Sequence, residues 1–168
     1  MQAVEGIEAL VDRHGRELHV FLWRMLRNEQ DAEDCLQETY LRAYRALPRL
    51  APDANHRAWL YAIAANVGRS WLKKRRRVDR LEQAQPDRPP RLEEALTDRL
   101  DAVSLRAAVD RLPPRQREAL ILRKYQGLDY VTIAAVQGNT QEAARANVYQ
   151  ALRRLRALLQ ATEQPARS

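Results

Sequence analysis

The chain has 168 residues and a formal net charge of +7, a length that suits one ordinary domain or two small ones. Charged residues make up 30% and hydrophobic residues 45%, which excludes a disordered polymer. Five glycines, one phenylalanine and one cysteine exclude a disulfide-stapled scaffold and a cysteine-rich zinc site. No run of alternating β-branched residues occurs, so an all-α fold is expected.

The first block, residues 1–78, reads as a three-helix bundle. Ile7, Leu10, Val11, Leu18, Phe21, Leu22 and Met25 keep helical spacing through the first helix. The Asn28–Gln30 stretch breaks it, and Asp31 is expected to open the second helix near Ala32. There Ala32, Leu36, Thr39, Tyr40, Ala43 and Leu47 form a core stripe, while Asp34, Gln37, Glu38, Leu41 and Arg45 lie on the other side. Pro48 and Pro52 disfavour helix at and before their own positions, so a loop follows.

A third helix is expected over 57–74, with Leu60, Ile63, Ala64, Val67 and Trp71 on its core side and Trp59 bracing the preceding loop. Asn66, Arg69, Lys73 and Arg76 follow one another at three and four residues. The run Lys73-Lys74-Arg75-Arg76-Arg77 is more than a helix dipole needs and suits a phosphate backbone.

Residues 79–103 are rich in proline, glutamine and alternating charge, the composition of an interdomain linker. The second block, 104–160, opens on Leu105, Ala108, Val109 and Leu112, and Pro113-Pro114 restart the chain. Helices are expected over 114–125, 130–137 and 140–159, with a polar tail at 161–168. The last two have the form of a helix-turn-helix. Gly138 can take the positive φ of a tight turn, and Thr140 can cap the next helix.

In the last helix Ala144, Val148, Ala151, Leu155 and Leu158 share one side at a hundred degrees per residue. Glu142, Ala146, Tyr149, Gln150 and Arg153 face away, with Arg145 on the flank. Such residues can reach base edges in a major groove, and Arg154 and Arg156 further along suit phosphates.

The two blocks together resemble the sigma-70 family of RNA polymerase sigma factors, specifically its extracytoplasmic-function group. The segment Asp31-Ala32-Glu33-Asp34-Cys35-Leu36-Gln37-Glu38-Thr39 is similar to that family's region 2 signature. Trp59-Leu60-Tyr61-Ala62-Ile63-Ala64-Ala65-Asn66 and the basic run follow at the usual distance. Region 4 is resembled by Leu112-Pro113-Pro114-Arg115-Gln116-Arg117-Glu118-Ala119-Leu120, then Gly127-Leu128-Asp129-Tyr130, Ile133-Ala134 and Gly138.

That resemblance implies a transcription initiation factor, not an enzyme. It implies that Asp34, Gln37, Glu38 and Leu41 bind the β′ clamp helices of core RNA polymerase. Arg49, Asn55, His56 and Asn66 would accept a base flipped from the -10 element, with Arg69, Lys73, Arg76 and Arg77 on nearby phosphates. Thr140, Gln141, Glu142, Arg145, Ala146, Tyr149, Gln150 and Arg153 would read the -35 element as duplex, while region 4 also meets the β flap. An anti-sigma partner is a further expectation.

Thr132, Ala143, Ala144 and Asn147 depart from the family pattern, and the leucine usual near Gln137 is absent. These changes bear on -35 preference. No cofactor or metal is expected, because His14, His19 and His56 lack catalytic or ligand spacing. Without a leader-like or membrane-length apolar stretch, no membrane insertion is expected and the natural home is the cytoplasm. The competing reading is a free-standing helix-turn-helix regulator of operator DNA. It leaves the acidic-amide face and basic stripe of the first block without a role.

Overall fold

A computed structural model describes residues 6–82 and 100–163. The expected linker between 83 and 99 and the tail after 163 lie outside the described residues. The described elements are helical throughout.

Three helices form the first block: α1 (Ile7–Leu26), α2 (Glu29–Ala46) and α3 (His56–Glu82). Leu10, Leu18, Phe21, Leu22 and Met25 of α1 are fully buried. Burying side chains of this kind stabilises by about 1.5–3 kcal/mol each before entropy is counted. Phe21 meets Tyr61 of α3 edge to face at 5.4 Å, a geometry worth about 0.5–1.5 kcal/mol beyond area. Gly15 lets α1 approach α2 closely: a Cβ there would lie 2.5 Å from the Tyr40 hydroxyl.

The helix boundaries differ from the sequence reading in instructive ways. Arg27 ends α1 in the left-handed region at φ 57. The second helix starts at Glu29, earlier than Asp31, because the Asn28 side chain accepts the Asp31 N–H at 2.9 Å and caps it. In the same way Asn55 accepts the Ala58 N–H at 3.0 Å, so His56 opens α3 instead of ending a loop. At its other end α3 continues to Glu82, four residues into the stretch read as linker. Its basic run is therefore helical throughout.

The second block contains α4 (Leu100–Asp110), α5 (Pro114–Leu120) with a π-helical turn over Ile121–Tyr125, α6 (Tyr130–Gln137) and α7 (Gln141–Glu163). Helix α4 begins before the expected boundary at 104, and α7 outlasts the expected end at Leu159. Asp129 caps α6 by accepting the Thr132 N–H at 2.8 Å. Gly138 closes α6 at φ 66, and Thr140 accepts the Ala143 N–H at 3.1 Å to start α7. The turn chemistry expected of a helix-turn-helix is present.

The sequence reading kept the two blocks apart, but in this structure they share a core. One contiguous buried cluster runs from Leu10 and Leu60 to Leu122, Ile133 and Val148. Helix α6 packs along α3, and the π-helical turn packs on α1. A smaller cluster of Ala108, Val109, Leu112, Leu120, Ala151 and Leu155 joins α4, α5 and α7.

Candidate nucleic-acid and partner interfaces

The acidic-amide face of α2 is open. Asp34 and Gln37 are exposed; Asp34 accepts a hydrogen bond from Gln30 at 3.0 Å, and Glu38 pairs with Arg42 at 2.8 Å. That pairing with Arg42, after a slight opposing effect of desolvation, leaves the Glu38 carboxyl below its ordinary value. Leu41 is 52% exposed. Beside it an open groove between α1 and α2 is lined by Ile7, Val11, Tyr40, Leu41 and Tyr44, with Gln37, Glu8 and Asp12 on its rim. Tyr44, 66% exposed, was missed in the sequence; a large aromatic on the solvent side of an amphipathic helix is the signal that could have flagged it.

Cys35, one turn from this face, is buried and unpaired. Burial and the nearby Asp31, Asp34 and Glu38 push its thiol up to about 11, so it packs as an inert small residue.

On α3 the exposed residues fall as the spacing indicated. Asn66, Lys73, Arg76 and Arg77 are exposed, and Arg49 and Asn55 are exposed in the connection from α2, with His56 half-buried. Two arginines are committed elsewhere. Arg75 donates to the Leu26 carbonyl and to Asp31, both at 3.2 Å, tying α3 to the α1–α2 junction. Arg69, expected on a phosphate, instead donates to both carboxylate oxygens of Glu118 at 2.6 and 2.5 Å. Helix α5 lies there because the two blocks are packed together, which the sequence reading did not foresee.

In the second block Gln141, Glu142, Arg145, Ala146 and Tyr149 line one open concave surface on α7. Tyr149 is 67% exposed, and the Arg145 guanidinium stacks over Tyr130 at 4.9 Å, which orients it beside that surface. Thr140 is exposed but serves as the cap. Gln150 is exposed yet accepts a hydrogen bond from Gln116 at 3.0 Å. Arg153 is exposed on the following turn.

The departures around the turn answer one another. Gln137, near which the usual leucine is absent, is buried. It donates to the Arg115 carbonyl at 2.9 Å and accepts from Asn147 at 3.3 Å. A buried amide here is tolerable because it is hydrogen-bonded.

Several polar residues were given no individual role in the sequence reading. Gln126 follows the π-helical turn and donates to the Tyr61 hydroxyl at 2.8 Å and the Glu17 carbonyl at 3.0 Å. It accepts from Arg24 at 2.9 Å. Tyr61 and Arg57 donate to the Glu17 carboxylate, Arg57 at 2.8 Å. Arg117, buried, donates to the Met25 carbonyl at 3.0 Å and to the Asp110 carbonyl, and burial lowers its proton affinity. No periodic or compositional signal separates these residues from ordinary charged helix positions. A candidate metal group that spacing did not reveal, His19 with Glu29 and Glu33, also gathers between α1 and α2. Its imidazole already pairs with Glu29 at 3.0 Å.

The family profile for Sigma-70 region 2 matches residues 10–78, and that for Sigma-70 region 4 matches residues 102–155. The chain is 35% identical to RNA polymerase sigma factor CarQ of Myxococcus xanthus over 94% of this chain and 91% of that protein. The chain is an extracytoplasmic-function sigma factor of the sigma-70 family. This sigma factor is also 35% identical to EcfG of Rhodopseudomonas palustris, over 84% of this chain and 78% of that one. Among solved structures it resembles the sigma factor RpoE bound to the anti-sigma factor NepR from Bartonella quintana. The TM-score there is 0.69, with 27% identity over 89% and 94% of the two chains. CnrH in complex with the cytosolic domain of CnrY gives 0.68 and 30% over 92% and 88%.

The protein is thus a promoter-directing factor for RNA polymerase, and the free-standing regulator is not favoured. That alternative accounts for α4 to α7 alone and leaves the region 2 match over α1 to α3 unexplained. Among the described residues no helix is long and apolar enough to cross a membrane.

Proposed function

We propose that this sigma factor meets core RNA polymerase through α2, with Asp34, Gln37, Glu38 and Leu41 against the β′ clamp helices and Tyr44 extending the contact. The carrying observation is a half-exposed leucine set among acidic and amide side chains beside an apolar groove. That is an apolar centre with a polar rim, the layout of a protein-binding surface.

The -10 strand lies along α3. The connection carrying Arg49 and Asn55, together with His56 and Asn66 of α3, receives an extruded base, and Lys73, Arg76 and Arg77 hold the flanking phosphates. Extrusion costs a few kcal/mol, roughly what polar contacts to one base can offset. The concave α7 surface of Gln141, Glu142, Arg145, Ala146 and Tyr149 reads the -35 duplex, with Arg153 on the backbone. Region 4 also contacts the β flap, and an anti-sigma protein holds the factor inactive inside the cell. The boundaries follow: 1–78 for polymerase and -10 contacts, 104–160 for -35 contacts.

The decisive experiment is binding of purified protein to cognate core polymerase, with an Asp34→Ala/Gln37→Ala variant beside it. Tight binding by the wild type and at least tenfold weaker binding by the variant is expected, about 1.4 kcal/mol or more. Equal binding by both removes α2 from the contact.

A further inference from the structure

Arg69 belongs to the stripe expected on promoter phosphates, yet in this structure its Nη1 is engaged inside the protein. That one nitrogen donates to both carboxylate oxygens of Glu118, a residue with no exposed surface. Two anionic oxygens offered to one guanidinium is also what a phosphate offers. We infer that Glu118 is an internal phosphate mimic, and that its pairing with Arg69 latches region 4 onto region 2 until promoter DNA competes for the arginine. The inference rests on the proposed role of α3 in -10 binding.

A second contact, independent of that pair, crosses the same boundary. The π-helical turn sets the Gln126 N–H on the Ile121 carbonyl at 3.0 Å, five residues back. Such one-turn widenings recur at functional sites. Here it delivers Gln126 between Arg24, the Glu17 carbonyl and Tyr61, so its amide oxygen and both N–H groups face region 2.

The energetics suit a reversible latch. A buried ion pair contributes little net stability, because desolvation offsets most of the attraction. On separation Arg69 gains a phosphate; Glu118, whose proton affinity burial raises, loses the opposing pull of Arg69 but keeps that of Gln137 and Arg115 in its own block. The latched form leaves Asp34, Gln37 and Leu41 exposed, and the α7 surface too. Polymerase can therefore be met first, and the full -10 grip completed after opening.

The test uses the full chain with donor and acceptor dyes on Ala9→Cys and Gln160→Cys, both exposed positions, in a Cys35→Ala background. High energy transfer is expected in the free protein. Glu118→Gln, and separately Gln126→Ala, should lower it and raise the affinity of the free protein for a single-stranded -10 oligonucleotide. The gain is about tenfold if roughly nine-tenths of the molecules are latched. Transfer and affinity unchanged in both variants, each still helical by circular dichroism, would overturn the latch. Lower transfer without tighter oligonucleotide binding would overturn the phosphate-mimic assignment. Energy transfer does not depend on DNA, so failure of the α3 reading shows separately, as wild-type holoenzyme that gains nothing from Arg69, Lys73 and Arg76.

Discussion

Gln137 at the end of α6 accepts a hydrogen bond from Asn147 in α7 at 3.3 Å. These are two of the positions where this sigma factor departs from its family's pattern, and each supplies the partner the other needs. Gln137→Leu would leave the Arg115 carbonyl and the Asn147 amide without their buried partner, at a cost of about 1–3 kcal/mol. Asn147→Ala should cost less, and the two changes together should cost less than their sum by about 0.5–1 kcal/mol. Urea melts of the four proteins measure that coupling. Strict additivity would mean the contact carries no energy.

The exposed basic residues of α3 make a salt-dependence prediction. Each phosphate contact contributes roughly 0.7 to the slope of log affinity against log salt for single strands. Arg76→Ala/Arg77→Ala should therefore flatten that slope by about 1.4 for holoenzyme bound to a -10 strand, whatever its sequence. Arg75→Ala should leave the slope nearly unchanged and lower thermal stability instead, since Arg75 holds the Leu26 carbonyl and Asp31. Titrations at four salt concentrations separate the two outcomes.

The Glu17 carboxylate gives a pH signature. Burial pushes its proton affinity up, but hydrogen bonds from Arg57, His14 and Tyr61 outweigh that and leave it below the ordinary 4.5. A lowered value in the folded state means a stabilising contribution that is complete above about pH 4.5 and lost as pH falls through the folded value. Glu17→Gln should therefore lower the urea midpoint at pH 7 and bring variant and wild type together as pH falls below the folded value. A constant difference between them would show that the charge of Glu17 plays no part.

The division into helices was legible because it rests on local chemistry. Pro48, Pro113, Gly138 and Thr140 punctuate the chain for reasons confined to a few residues. Helical periodicity likewise separated Asn66, Lys73 and Arg76 from the buried Leu60 and Val67. The same reading took Asn28 for a break when it is a cap, an error of only two residues in α2. Docking of the blocks could not be read. Glu17, Glu118 and Gln126 sit on amphipathic helices or turns where polarity normally means solvent, and their partners lie 40 to 109 positions away. A single sequence carries no signal for such pairings.

Asn66 offers the sharpest separation of roles on α3. It is exposed, it projects from the helix one turn before Arg69, and the buried side of that helix is already complete without it. Asn66→Ala should leave folding and core-polymerase binding unchanged while slowing promoter opening. An asparagine side chain contacting one base is worth about 1–3 kcal/mol, so the open complex should fall roughly five- to a hundredfold in equilibrium population. Permanganate footprinting at equal holoenzyme concentration reads the unpaired thymines directly, and an asparagine-to-aspartate change at the same site should do as badly, because it removes the amide donor and adds a negative charge beside phosphate. Wild-type reactivity in both variants would take Asn66 out of the -10 site and leave the base to Arg49, Asn55 and His56.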